Sequence, residues 1–127
     1  MKEPRLNEVL WIAQVLLALA FLGAGYDQAV LYHDAGRRMA WVAALPRQLA
    51  VALGTLEMLG AFALIVPAWT RVQTWITPAS ALALAVLMAG AVAFHATRRE
   101  IPQIAFSGTF CLVAAFVAFG RFVVAPF

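Results

Sequence analysis

The chain has 127 residues, 65% of them hydrophobic and only 12% charged, against roughly 45–50% and about 25% in soluble proteins. A domain this small buries only about two-thirds of its chain surface, so an ordinary soluble globule is excluded, and a mean hydropathy of +0.89 excludes disorder. The net charge of +3 comes from basic residues scattered between and beside apolar runs, not gathered on one stripe, which argues against nucleic acid as a partner; one cysteine, Cys111, excludes an internal disulfide or CxxC pair.

Four apolar runs follow in chain order. A membrane-spanning helix needs about 20 mostly apolar residues, and each run is long enough. The first, Val9 to Tyr26, has Gln14 as its strongly polar group, and predicts a helix over 6–31. A secretory leader is the rival reading, since Lys2 and Arg5 precede it and Gly23-Ala24-Gly25 offers small residues. Glu3 and Glu8 spoil the basic flank and three further spans follow, so the expectation is an uncleaved span.

The connection from His33 to Leu45 is the longest. Its segment 37–45 suits either a short amphipathic helix along the membrane surface or a polar loop anchored by Trp41. The second run, Gln48 to Thr70, is broken by Glu57 and predicts a helix over 46–66, starting at Pro46 and ending before Pro67. The third, Val72 to Thr97, carries His95 near its end and predicts a helix over 75–97. The last, Ile101 to Gly120, predicts a helix over 102–124 with Pro102 at its start. Short connections make neighbours antiparallel, giving a single all-α, up-down-up-down four-helix membrane bundle with no soluble domain. Trp41, Trp69 and Trp75 fall at span edges, as does the pair Arg98-Arg99, and all suit the membrane interface. Arg121 is expected to snorkel to the opposite interface. Basic residues divide almost equally between the two sides, so the positive-inside rule leaves orientation open.

Ionisable groups in hydrocarbon cost several kcal/mol and demand a reason. Glu57 lies eleven residues beyond Pro46, about 16 Å along a helix and near mid-bilayer. Gly54, Gly60 and Ala61 share its face, a small-residue stripe on which another helix can pack closely. Gly23 plays that part beside Asp27 in the first helix. The topology puts Asp27, Gln28, Glu57 and His95 in one half of the bundle. Two readings stand: a ligand or proton site opening to one face, with Glu57 and His95 at its centre, or interhelical hydrogen bonds that only fix register. No metal is expected, because His33, Asp34 and His95 are too sparse a ligand set. Cys111 is read as a small buried hydrophobe.

Together these residues resemble the DoxX-like family of small four-helix bacterial membrane proteins. The resemblance is carried by the stretch from Phe21 to Gln28, by Met39-Ala40-Trp41-Val42 before Leu45-Pro46, and by Gly54-Thr55-Leu56-Glu57. Trp75-Ile76-Thr77-Pro78, the stretch from Phe94 to Glu100, and Gly120-Arg121 complete it. The family often has Lys where this chain has Gln28, which removes one partner for Glu57. The resemblance implies a multi-pass protein of the bacterial inner membrane, an accessory or quinone-linked redox-associated subunit, with quinone as the candidate cofactor. The chain itself carries no cysteine pair, flavin motif or haem-ligand pair, so a stand-alone enzyme is not the expectation. The alternatives are a non-enzymatic membrane binding or assembly protein, engaging a membrane-protein partner or a second copy, and a small transporter subunit acting as an oligomer.

Overall fold

The computed structural model describes residues 4–127, with side chains from Arg5 onward. Lys2 and Glu3, on which part of the flank-charge and leader readings rest, lie outside the described residues. Six α-helices follow one another: α1 Pro4–Ala29, α2 Tyr32–Arg38, α3 Ala40–Ala44, α4 Arg47–Thr70, α5 Ile76–Thr97 and α6 Ile101–Phe119. The chain then widens into a π-helical turn over Gly120–Val124. Four segments, Arg5–Ala29, Arg47–Thr70, Ile76–Thr97 and Ile101–Val124, are long and apolar enough to cross a membrane.

The bundle is inside-out by soluble standards. Leu19, Leu59, Val86 and Leu112 are more than half exposed, which lipid tolerates and water does not. The interior is narrow and mostly small: Leu17 and Phe21 from α1, Ala61 and Leu64 from α4, Leu84 and Met88 from α5, and Ala114 and Val117 from α6. With no hydrophobic drive between helices in lipid, close packing and polar contacts must hold them. The tightest approach is α1 on α4. A Cβ added to Gly54 would lie 2.6 Å from the carbonyl oxygen of Gly25 and 2.8 Å from the Ala29 nitrogen. Backbone meets backbone there, so neither glycine can carry a side chain without moving a helix. Gly60 plays a lesser role against α5, where an added Cβ would meet Leu84 at 2.9 Å. Ala61 is buried beside it. Gly23, expected to pack, instead faces outward: an added Cβ there meets nothing within 4 Å.

Two boundaries differ instructively from expectation. The second helix does not stop before Pro67 but runs through it to Thr70. Proline lacks the N–H that the carbonyl of Ala63 would accept, and an orphan carbonyl in a membrane costs several kcal/mol. The Thr77 hydroxyl, arriving on α5, donates to Ala63 O at 3.1 Å and so replaces the missing bond. Nearby, Gln14 Nε2 donates to Leu64 O at 2.9 Å, so a polar side chain buried in α1 ties it to α4. The connection near 37–45 is neither one surface helix nor a plain loop. It is the helix pair α2 and α3, bent at Met39, whose backbone is extended (φ −129°, ψ 111°). Tyr32 Oη donates to Leu45 O at 2.6 Å and closes the pair onto itself.

Arg121 corrects another expectation. It does not snorkel but is buried, 2% exposed. The wide turn at Gly120–Val124, closed by the Ala125 N–H donating to Gly120 O at 2.7 Å, presents it to α1. There Nε donates to Gln14 Oε1 at 2.7 Å, and Nη1 to Asn7 Oδ1 at 2.8 Å and Ala125 O at 3.0 Å. The guanidinium also sits 4.2 Å from the Phe127 ring centroid. The reason is supply of acceptors: Gln14 and Asn7 offer a guanidinium more than lipid headgroups need to.

Candidate intramembrane site

The half of the bundle where α1 ends, α4 begins, α5 ends and α6 begins borders a half-open cavity of about 650 Å³. All four spanning helices line it, and Trp41 of α3 joins them, with Met39 and Leu45 beside that helix. The walls are apolar and aromatic: Phe21, Leu53, Met88, Phe94, Phe106 and Phe110. The polar groups that reach it are Gln28, Glu57, His95, Gln103 and Ser107. A few placed polar groups in an apolar hollow of about 300–1,000 Å³ is the usual composition of a small-molecule site.

The glycine contact builds one side of it. Gln28 follows Gly25 by three residues, and Glu57 follows Gly54 by three, so each polar side chain sits one turn beyond its glycine on the same face. In this antiparallel pair the two turns run in opposite directions, so Gln28 comes level with Gly54, whose added Cβ would lie 2.9 Å from Gln28 Cβ, and Glu57 lies on the side toward Gly25. Gln28 and Glu57 both line the cavity, and both are at most 5% exposed. Gln28 brings an amide, not a charge, to the wall that carries the acid.

His95 forms the other polar wall, and its partner is a residue the sequence did not mark. Its Nδ1 lies 2.9 Å from Glu100 Oε1, while Arg98 Nε donates to the same oxygen at 3.0 Å. The chain reverses through Arg99, at φ 56°, and the Glu100 N–H returns to His95 O at 3.1 Å. This closed turn holds Glu100 against the end of its own helix. The hydrogen bond from His95, and then the charge and hydrogen bond of Arg98, keep the Glu100 carboxyl below its ordinary range. It therefore stands as a carboxylate at neutral pH and accepts from Nδ1–H. In the neutral form of the ring this arrangement leaves the lone pair at Nε2. Trp41 packs edge-on against the same ring, with centroids 5.2 Å apart.

Of the other residues singled out from sequence, Asp27 lies outside the cavity. It accepts from Arg38 Nη2 at 3.3 Å on the partly exposed rim, and Asp34 shares that arginine at 3.3 Å. Trp41 is turned toward the bundle and lines the cavity, whereas Trp69 and Trp75 are 78% and 62% exposed at the other end. Arg98 and Arg99 lie at the turn, Arg98 held by Glu100. No hydrogen bond joins Glu57 to His95; they share a cavity, not a contact. Sequence reading missed Glu100, Gln103 and Ser107. Ser107 is buried against the cavity, while Thr109 on the same helix returns its hydroxyl to Ala105 O at 2.8 Å. Cys111 is half-buried, with its thiol 3.3 Å from Ala85 O. Among the described residues no cluster of three His, Cys, Asp or Glu is placed to hold a metal ion.

The fold and this hollow define a small multi-pass membrane protein whose four apolar helices border a polar-ended cavity. The profile of the DoxX-like family matches residues 12–117, and the chain belongs to that family. Comparison with curated proteins and with solved structures found no match.

Proposed function

We propose that this chain is a quinone-linked, redox-associated subunit of the bacterial inner membrane that binds an amphipathic ring ligand of the quinone class between Glu57 and His95. The observation that carries the reading is the cavity of about 650 Å³ itself, mostly apolar, with Gln28, Glu57, His95, Gln103 and Ser107 as its polar groups. A quinone ring is flat and apolar with two oxygen functions on opposite edges. It matches aromatic walls with hydrogen-bonding groups on separate helices better than a peptide, a sugar or an ion does. Electrons come from a partner protein, and the chain supplies the binding site.

The test uses intrinsic fluorescence, because Trp41 lines the cavity and Trp11, Trp69 and Trp75 do not. With those three replaced by phenylalanine, a decyl-chain benzoquinone titrated into the protein in detergent should quench Trp41 saturably. Glu57→Leu should weaken that binding about tenfold or more, the equivalent of one lost hydrogen bond of about 1.4 kcal/mol. Glu57→Gln, which keeps hydrogen-bonding capacity, should weaken it much less. Linear, non-saturating quenching that is the same in all three proteins would remove the reading.

A further inference from the structure

Glu100 has no part in the shape of the cavity, yet it decides what the cavity asks of a ligand. An imidazole can offer Nε2 as a donor or as an acceptor, and which it offers is set by the partner of Nδ1. Here that partner is a carboxylate 2.9 Å away, its side chain 16% exposed and fixed in a second contact by Arg98. Arg98 Nε donates to the same Glu100 oxygen at 3.0 Å, so it reinforces the carboxylate. Trp41 holds the ring from the other side with an edge contact that leaves the ring nitrogens unchanged.

We propose that Glu100 is a specificity-determining positioning residue: by fixing the proton of His95 on Nδ1 it leaves Nε2 as an acceptor toward the cavity, so that the ligand held there presents a hydroxyl hydrogen. This deepens the reading above, and rests on it, by naming which redox form is held. A quinol carries O–H donors on its ring and satisfies Nε2. The corresponding quinone carries only carbonyl oxygens, and would set one lone pair against another at the same place. An unmet acceptor in an apolar site is penalised strongly enough to discriminate. Oxidised and reduced forms have nearly the same shape, so apolar walls alone cannot separate them.

Two measurements decide it. The ligand-free protein, labelled with ¹⁵N-histidine, should show His95 in the Nδ1–H form at neutral pH. Glu100→Gln should redistribute the proton between the two nitrogens, and Glu100→Asp should restore much of the original preference. In the single-tryptophan protein described above, under anaerobic conditions, the decyl-chain benzoquinol should bind about tenfold more tightly than its quinone. Glu100→Gln should bring the two within roughly threefold of each other, with helical content and thermal unfolding unchanged. If both forms bind equally to the unmodified protein, or the preference survives Glu100→Gln, the proposal is overturned while the quinone-class reading stands. If neither form binds saturably, both fall together. An Nε2–H form in the ligand-free spectrum overturns the tautomer assignment without reference to any ligand.

Discussion

Replacing Gly25 or Gly54 by alanine should destabilise the bundle by about 1–3 kcal/mol each, the usual cost of forcing a methyl group into filled space. Helix propensity works in the opposite direction, favouring alanine by about 0.8–1 kcal/mol. The clash wins because the obstruction is backbone: the Gly54 Cβ would sit 2.6 Å from Gly25 O, and no rotamer can relieve that. Gly23 and Gly90 supply the control, since a Cβ at either meets nothing within 4 Å. Alanine at those two positions should be neutral or stabilising by up to about 1 kcal/mol. Reversible unfolding in SDS measures all four. The two damaging substitutions carry a second consequence. They pry apart the turns that bear Gln28 and Glu57, so ligand affinity should fall with stability. Equal effects at the four glycines would mean that the close approach of α1 to α4 does not exist.

Arg121→Leu should cost about 2–4 kcal/mol, because it strips partners from several buried acceptors at once. Gln14 Oε1, Asn7 Oδ1 and Ala125 O all accept from the guanidinium, and leucine offers none of them a hydrogen. Arg121→Lys should recover part of the loss and no more, since one ammonium cannot reproduce the planar fork that reaches Gln14 and Asn7 together. The contact with the Phe127 ring gives a local readout. Carboxypeptidase should trim the carboxy-terminal residues of the Arg121→Leu protein faster than those of the unmodified one, at temperatures where both remain folded. Were Arg121 reaching out to headgroups, either substitution would be nearly silent.

The spans were legible because lipid imposes a length and a polarity that few other environments require, and four runs met both. The site was legible in part, and the reason differs from residue to residue. Glu57 announced itself by its depth and by Gly54 one turn before it. The same spacing applied to α1 points from Gly25 to Gln28, yet Gly23 beside Asp27 offered an equally small neighbour. Only the partner helix decides which glycine faces inward. Pro67 read as a stop because its missing N–H is local, while the hydroxyl that compensates comes from Thr77 on the next helix. Arg121 read as a snorkelling cation for the same cause: its acceptors, Asn7 and Gln14, lie more than a hundred positions earlier in the chain. Gln14 was the available clue, a strongly polar group in an apolar run that had to be bonded to something. Glu100 entered the sequence reading only as the end of the stretch that begins at Phe94, and it is the reversal at Arg99 that folds it back onto His95.

A ligand site bordered by the four spans between Glu57 and His95 should be open to photolabelling in lipid. A benzoquinone carrying an azide on the ring, irradiated with the protein in vesicles, should attach to the lining residues Trp41, Phe94 and Phe110. Excess unlabelled quinol should suppress those adducts, and Glu57→Leu should diminish them. Adducts confined to outward-facing residues such as Leu19 and Leu112, indifferent to competitor and to Glu57→Leu, would contradict it.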